Sequence, residues 1–583
     1  MSVTAVGARA DRAARAARRR SLTAAALSML LAWSAVLMAP ASPAHAAAQG
    51  GTQPAAADAA AARSKLSAEV VGYLPYWQMT AETFAAIDLT KLTTIILFSV
   101  GWDAAGHLRT DQPGYRAITG DATRDFVRRA RGEGVSVTLS FTSFGLTKNA
   151  AFFTNPTAQA TFVDEAAAFV RANDLDGADL DVEQMAGIHR PAYAAVAGDL
   201  AHRLRDHDGD ATLSVATNGN VSGARMAAVA LAAGADRAFL MGYSYRTAGS
   251  SPGSIDPLAR RSGDAGLSLS ASIELYLQAG VPLGKVILGL PLYGRSWPTL
   301  TTALGSPRRT GVPGSGASFT IVGLTKLRAT GTILRQDTVP VESSARLVRR
   351  VNGVIWQSFY DSPTTLKVKM RFAQSRHLAG VGFWALGYSN RRTPYWSAIG
   401  EVFGPPAILG MGIIPAPTNT RQITVALRWR DGAGTTTHVR FASGPNFGSW
   451  RPIAIRSAVT LPAGPAVSRR VIRAQIRDDQ GYVSTIAVRT VVFDRVRPTM
   501  TRLTAAWSTT ARAWVIRYAG RDVGSGLAGY RLVLRRDGRY QTLAELRTST
   551  GYLLHLPRSA HFRITVRSVD RATNLSDPLS TTR

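Results

Sequence analysis

Asp176-Gly177-Ala178-Asp179-Leu180-Asp181-Val182-Glu183 alternates acidic and apolar residues. In an extended strand successive side chains point to opposite faces, so Asp179, Asp181 and Glu183 share one face. Ala178, Leu180 and Val182 then pack the other. A rise of ~3.3 Å per residue sets neighbouring carboxylates about 6.5–7 Å apart. A solvated turn holds acids at this spacing without cost, but the apolar alternation specifies a strand. Three acids in a partly dry site cannot all stay ionised, and that expense points to catalysis. A helix–loop–helix calcium site needs Gly after its third acidic position and a Glu further on; neither follows here.

Working outward, short apolar strands alternate with helical segments from Val70 to about Phe403, the pattern of a parallel sheet. Strands are read at 70–75, 93–99, 135–141, 212–217, 238–243, 285–291 and 380–386, with the acidic stretch fourth in order. Helices are expected over Thr123–Arg131, Gln159–Ala172, Ala192–Leu204 and Ser272–Ala279. Eight such units over 68–403 predict a (β/α)8 TIM barrel with its catalytic residues at the strand C-terminal ends. The competing doubly wound sheet lacks a Gly-rich phosphate loop after its first strand. The gap between the seventh and eighth strands is too long for one helix. Residues 296–354, rich in Gly, Thr and Pro, are therefore read as a small α+β insertion over the C-terminal face.

Beyond Gly404-Pro405-Pro406 the texture becomes short alternating strands with turn signals. Two all-β sandwich domains of fibronectin-III or Ig type are expected, at 404–495 and 496–583. A weak repeat supports the division: Arg473–Asp478 leading to Tyr482-Val483-Ser484 parallels Arg563–Arg567 leading to Asn574-Leu575-Ser576. At the other end, residues 1–46 read as an export signal, with a basic head, an apolar run from about Leu22 to Met38, and Ala44-His45-Ala46 for cleavage. Residues 47–67 read as a flexible linker. The expectation is a secreted, monomeric protein with no membrane span once the signal is removed.

The chain has 583 residues, 46% of them apolar, and a formal charge of +30. Its mean hydropathy is zero, as expected of folded domains with ample core. There is no cysteine, which excludes disulfides, thiolate metal sites and cysteine nucleophiles. Histidine is scarce and unclustered, so metal catalysis has no support, and no cofactor is expected. The charge is uneven: residues 404–583 hold 27 Arg, no Lys and 9 acidic residues, a net of +18. Such a tail favours an anionic partner, such as a cell-wall polymer, rather than nucleic acid.

With the barrel in view, Asp176-Gly-x-Asp179-x-Asp181-x-Glu183 resembles the signature of glycoside hydrolase family 18. Gly72-Tyr73, Met241-Gly242-Tyr243, Gly289-Leu290-Pro291-Leu292-Tyr293-Gly294-Arg295, Tyr360-Asp361-Ser362 and Gly382-Phe383-Trp384-Ala385-Leu386-Gly387 are similar to the family's other strand-end segments. Two departures stand out. Ser140-Phe141-Thr142-Ser143 replaces the family's Ser-x-Gly-Gly, and Ser244 replaces an Asp or Asn.

The resemblance implies a chitinase-like glycosidase acting on β-1,4-linked N-acetylglucosamine in chitin, chitooligosaccharides or peptidoglycan. It implies Glu183 as general acid/base, Asp181 orienting the substrate's 2-acetamido group, Asp179 partnering Asp181, and Tyr243 holding the acetamido oxygen. Trp384, Tyr73, Tyr293, Arg295 and Phe98 are the implied substrate-binding residues. Burial and the adjacent carboxylate are both expected to raise the Glu183 pKa. Trp77, Trp102, Trp297 and Trp356 are all candidates for further subsites. The alternative function is a lectin-like glycan- or wall-binding protein on the same barrel.

Overall fold

A computed structural model describes residues 66–390 and 393–583. The expected leader and nearly all of the linker lie outside these residues. Among the described residues, no helix is long and apolar enough to cross a membrane.

Seven strands run in order: β1 (Glu69–Pro75), β2 (Thr94–Gly101), β3 (Ser136–Phe144), β4 (Gly177–Glu183), β5 (Thr212–Asn218), β6 (Arg237–Met241) and β7 (Val286–Pro291). An insertion follows with β8 (Tyr293–Thr299), β9 (Ala317–Thr320), β10 (Thr332–Val339), β11 (Ser344–Val351) and β12 (Val354–Tyr360). Strand β13 (Gly380–Trp384) then pairs in parallel with both β7 and β1, closing the eight-stranded barrel. The TIM barrel expected from the alternation is thus observed, and the acidic strand is its fourth.

Local signals place the helices. Asn155 caps the helix Pro156–Ala172 by accepting from Ala158 N, with Pro at the first helical position. Ser362 and Thr365 form a reciprocal capping box on the helix Pro363–Ser375. Ala178, Leu180 and Val182 join one outer core with Phe162, Val163 and Ala166 from the first of these helices. The barrel interior is a separate layer of Val71, Tyr73, Ile96, Phe98, Phe239 and Ile287. The Phe239 ring needs glycine on both neighbouring sides. A Cβ on Gly382 would stand 2.3 Å from its Cε2, and one on Gly289 2.5 Å from its Cε1.

The insertion is a five-stranded antiparallel sheet, ordered β10-β11-β12-β8-β9, with one short helix at Leu324–Ala329. It is wider than 296–354, because the β8–β12 pair that roots it begins at Tyr293 and ends at Tyr360.

The tail forms antiparallel sheets in pairs. The first pair combines β14 (Ala407–Ile414), β15 (Gln422–Arg430) and β18 (Arg456–Thr460) with β16 (Thr436–Ala442), β17 (Arg451–Pro452), β19 (Val467–Asp478) and β20 (Ala487–Asp494). Val425, Val439, Leu461, Ile472 and Ile476 are buried between them. A second three-plus-four pair spans residues 499–582 around Ile516, Leu532, Ile564 and Val566. The sequence repeat has a structural counterpart. Asp478 accepts from Tyr482 N and Asp570 from Asn574 N, each at 2.8 Å, while Ser484 and Ser576 accept from Ile476 N and Ser568 N. At the junction of the two pairs, carboxylate oxygens of Asp494, Asp522 and Asp570 lie within 4.8 Å of one another.

Candidate active site

The strand alternation carries directly into the barrel. Asp179 and Asp181 are buried and Glu183 is half-buried at the C-terminal end of β4. Strands β3 and β5 supply Ser140 and Ser214, which lie opposite Asp179 in the ladders. Ser214 Oγ donates to Asp179 Oδ1 at 2.6 Å. Ser140 Oγ and Tyr73 OH donate to Oδ2 at 2.9 and 3.0 Å. Asp181 differs: its Oδ1 is buried and, among the described residues, has no hydrogen-bond partner. Asn218, at the end of β5, hydrogen-bonds Glu183. Asn149 fixes the strand end by donating to the Glu183 carbonyl at 2.7 Å, and Ser143 Oγ in turn donates to Asn149 Oδ1.

These surroundings separate the three carboxyls. Asp181 is held well above the usual carboxylate range, first by burial and then by the charges of Glu183 and Asp179. Burial raises Glu183 as well, against the Asn218 bond. The repulsion between the two neighbouring carboxyls shows on Asp181, which the Glu183 charge raises.

Aromatic side chains wall the mouth. Trp384 lies 4.8 Å from Phe98 and 5.7 Å from Tyr73, centroid to centroid. Trp77, 44% exposed, stands 6.3 Å from Trp384 and donates to Tyr388 OH. Tyr243 packs near this cluster, 6.3 Å from the Tyr293 ring. Burial raises its hydroxyl well above the ordinary value, with Tyr293 and then the three acids adding to the effect. β6 ends at Met241, and Ser244 takes a left-handed φ of 56°, which lets its Oγ share a 2.7 Å hydrogen bond with Tyr293 OH.

The comparisons with known proteins bear on this arrangement. The family model for glycosyl hydrolases family 18 matches residues 69–389, more than half of the chain. The chain belongs to glycoside hydrolase family 18. Its family 18 barrel is chitinase-like: Nod factor hydrolase protein 1 of Medicago truncatula is 29% identical over 272 residues, 42% of this chain and 67% of that protein. Chitotriosidase-1 of Mus musculus is 29% identical over 30% of this chain and 40% of its own, and a probable endochitinase of Caenorhabditis elegans 26% over 60% and 62%. The similarity therefore spans between two fifths and two thirds of these relatives. Solved structures agree on the fold. A family 18 chitinase of Cycas revoluta in complex with allosamidin superposes with a TM-score of 0.50 at 20% identity, covering 57% of this chain and 99% of that one. A group IV chitinase of Ostrinia furnacalis superposes with a TM-score of 0.50 at 17% identity, covering 57% and 98%.

Of the residues singled out in the family 18 sequence, Asp179, Asp181, Glu183, Tyr73, Phe98, Tyr243 and Trp384 come together at one end of the barrel. Tyr293 joins through Ser244. Arg295 lies further out on β8, where its Nη1 donates to the Gly316 carbonyl at 2.6 Å. Among the four undecided tryptophans, Trp102 and Trp297 are buried in hydrophobic cores. Trp356 sits on the insertion, and only Trp77 stands exposed beside Trp384. Asn218 and Asn149 were missed. The signal for Asn218 was available, since Ser214, Ala216 and Asn218 share the acid-facing side of β5.

Two expected results follow from this geometry. Burial pushes the Asp179 carboxyl from 3.8 up to about 6, against its bonds from Ser214, Ser140 and Tyr73. A raised carboxyl binds its proton more tightly in the folded state. Its contribution to stability is therefore lost as pH rises from 3.8 through about 6. The loss is roughly 3 kcal/mol. In urea titrations, Asp179→Asn should narrow the stability difference between acid and mildly alkaline pH by about this amount; an unchanged difference contradicts the assignment. The second result concerns Ser244→Ala and Tyr293→Phe, which remove the same hydrogen bond. Each should lower kcat/KM several-fold, and the double variant should be no worse than either single one, as a shared interaction requires.

Proposed function

We propose that the barrel hydrolyses β-1,4 linkages in N-acetylglucosamine-containing glycans, chitin, chitooligosaccharides or peptidoglycan, with retention of configuration. Glu183 protonates the glycosidic oxygen. As the bond from that oxygen to the anomeric carbon breaks, the substrate's own 2-acetamido carbonyl oxygen bonds to the same carbon. Water then attacks the anomeric carbon, gives its proton to Glu183 and restores the acetamido group. Asp181 orients the acetamido N–H, Asp179 supports Asp181, and Tyr243 donates to the acetamido oxygen. Trp384 carries the sugar face, with Tyr73 and Phe98 beneath it.

The observation that carries this reading is the buried Oδ1 of Asp181, which has no hydrogen-bond partner although it lies between two other acids. An unsatisfied buried acceptor costs on the order of 1–3 kcal/mol, and a substrate N–H removes that cost. The test is the anomer first formed. Chitotetraose and purified glycan strands are digested and followed by NMR and mass spectrometry. β-Anomeric reducing ends support the mechanism and name the substrate; α-anomers exclude it. Glycan binding with no products from either substrate favours the lectin-like reading, which draws on Ser244 in place of an Asp or Asn. We further propose that the protein is secreted, from its expected leader, and that its arginine-rich tail holds it to anionic wall polymer. Tail-deleted protein should then release less from insoluble substrate.

A further inference from the structure

The outward face of the sheet containing β16, β17, β19 and β20 carries a continuous stack of arginines and aromatic rings. Along β19, Ile472, Ala474 and Ile476 turn into the core, so Arg473, Gln475 and Arg477 turn outward. Arg440 on β16 lies opposite Gln475 in the ladder, on the same face. The β16–β17 loop brings Phe447 and Trp450 over this row. The Arg440 guanidinium carbon lies 4.7 Å from the Phe447 centroid and 4.6 Å from that of Trp450. Arg473 stands 5.2 Å from Phe447, and Arg477 4.8 Å from Trp450. The order across the face is Arg473, Phe447, Arg440, Trp450, Arg477.

Stacking holds each guanidinium in a set plane, but it leaves three like charges side by side. Cation–π contacts are weak at exposed sites and neutralise no charge. Among the described residues, none of these three arginines forms an ion pair. Their other bonds are to neutral groups. Arg440 donates through Nε and Nη2 to Gln475 Oε1, and Arg473 through Nη2 to the carbonyls of Gly444 and Pro445. Arg440 Nη1 with the second Nη2 hydrogen, Arg473 Nε and Nη1, and the Arg477 edge are left over as donors.

Each ring lies against two guanidiniums, which compete with a neutral sugar or a base for its faces. What remains is a row of N–H edges, which reads charge. Arg440 lies in a slot between two rings. A flat carboxylate enters the guanidinium plane as a two-point acceptor, whereas a phosphodiester, which a guanidinium also pairs at two points, carries its two ester substituents out of that plane and toward the flanking rings. We propose that this face binds a carboxylate-bearing polysaccharide, with Arg440 taking one carboxylate and Arg473 and Arg477 those of neighbouring sugars. The inference rests on the reading that the tail binds an anionic polymer, and it is independent of hydrolysis in the barrel.

The test uses the full chain with polygalacturonate as probe, poly(glycerol phosphate) as the competing polyanion, and binding measured at low and physiological salt. Wild type should bind polygalacturonate more tightly than the phosphodiester, and binding should weaken with salt. Arg440→Gln/Arg473→Gln/Arg477→Gln should bind at least about tenfold more weakly. Arg502→Gln/Arg517→Gln/Arg547→Gln, around a 590 Å³ cavity on the last sheet pair, removes the same charge elsewhere and should stay within about twofold of wild type. Equal losses in the two triple variants, no loss in the first, or equal binding of poly(glycerol phosphate) would overturn the proposal. If the first triple variant does not fold by circular dichroism, Arg477→Gln alone decides, since among the described residues its side chain donates no hydrogen bond. A loss of about threefold supports the proposal and none refutes it. Failure of wild type to bind any polyanion removes the tail reading as well, and cleavage of soluble chitooligosaccharides by the same samples reports separately on the barrel.

Discussion

Glu183→Gln should reduce hydrolysis of chitooligosaccharides by roughly 10²–10⁴-fold, the usual share of a general acid, while leaving sugar binding near the wild-type level. The amide is isosteric and can still meet Asn218, so the strand end and the groove keep their shape. It has no proton to give at the glycosidic oxygen. The loss should fall on kcat, because the missing interaction is made only as the bond breaks. Burial holds the Glu183 carboxyl above its ordinary value. The acid is therefore protonated at higher pH than a surface glutamate, and wild-type turnover should decline as pH rises through that raised value. Calorimetric titration of the variant with chitotetraose, beside a turnover assay, checks both halves. Turnover near the wild-type rate would move the acid role to another residue.

Lys369→Met should be the most destabilising single substitution in the barrel, by about 3–5 kcal/mol. Lys369 is fully buried, with Nζ 2.5 Å from Asp256 Oδ2 and 2.8 and 2.9 Å from the two oxygens of Asp361. Its ammonium is raised by the two carboxylates in spite of burial. Asp256 is raised by burial and then by the charge of Asp361. Methionine fills the space but leaves buried negative charge with no cation. The effect reaches the site: Asp256 lies on the loop after β6, where Ile255 O accepts from Tyr245 N at 2.9 Å, two residues from Tyr243. Urea unfolding should show the loss, with a lower kcat/KM beside it. The double variant Lys369→Met/Asp361→Asn should regain part of the stability. If it does not, lost packing rather than unpaired charge is responsible.

Much of the site was legible because strands β1–β7 are parallel and short. In that setting a period of two assigns every residue a face. Asp179, Asp181 and Glu183 could be placed from their own stretch, and Ser214 and Asn218 follow the same rule on β5. The tryptophans show where the rule stops. Trp77, Trp102, Trp297 and Trp356 look alike as aromatics near strand ends. Trp102 is buried by Phe152 and Phe162, from helices distant in sequence, and Trp297 by a core that Val339 and Phe359 of the insertion share with Ile255. Ser244 is a second case. As a residue type it is only a departure from the family pattern, whereas its left-handed backbone and bond to Tyr293 depend on a strand 49 residues later.

The sequence alone therefore determined the barrel, the order of its strands, and an acidic row facing its interior. Those follow from local periodicity, which needs no knowledge of distant contacts. Tertiary structure decided what each acid is. Asp179 receives three hydroxyl donors from three different strands, Asp181 Oδ1 receives none, and Glu183 meets Asn218. Protonation depends on burial and on neighbours within a few ångströms, and the residues that supply them here stand up to 106 positions apart in the chain. Three carboxyls that are equivalent as letters become three different groups only when the barrel closes.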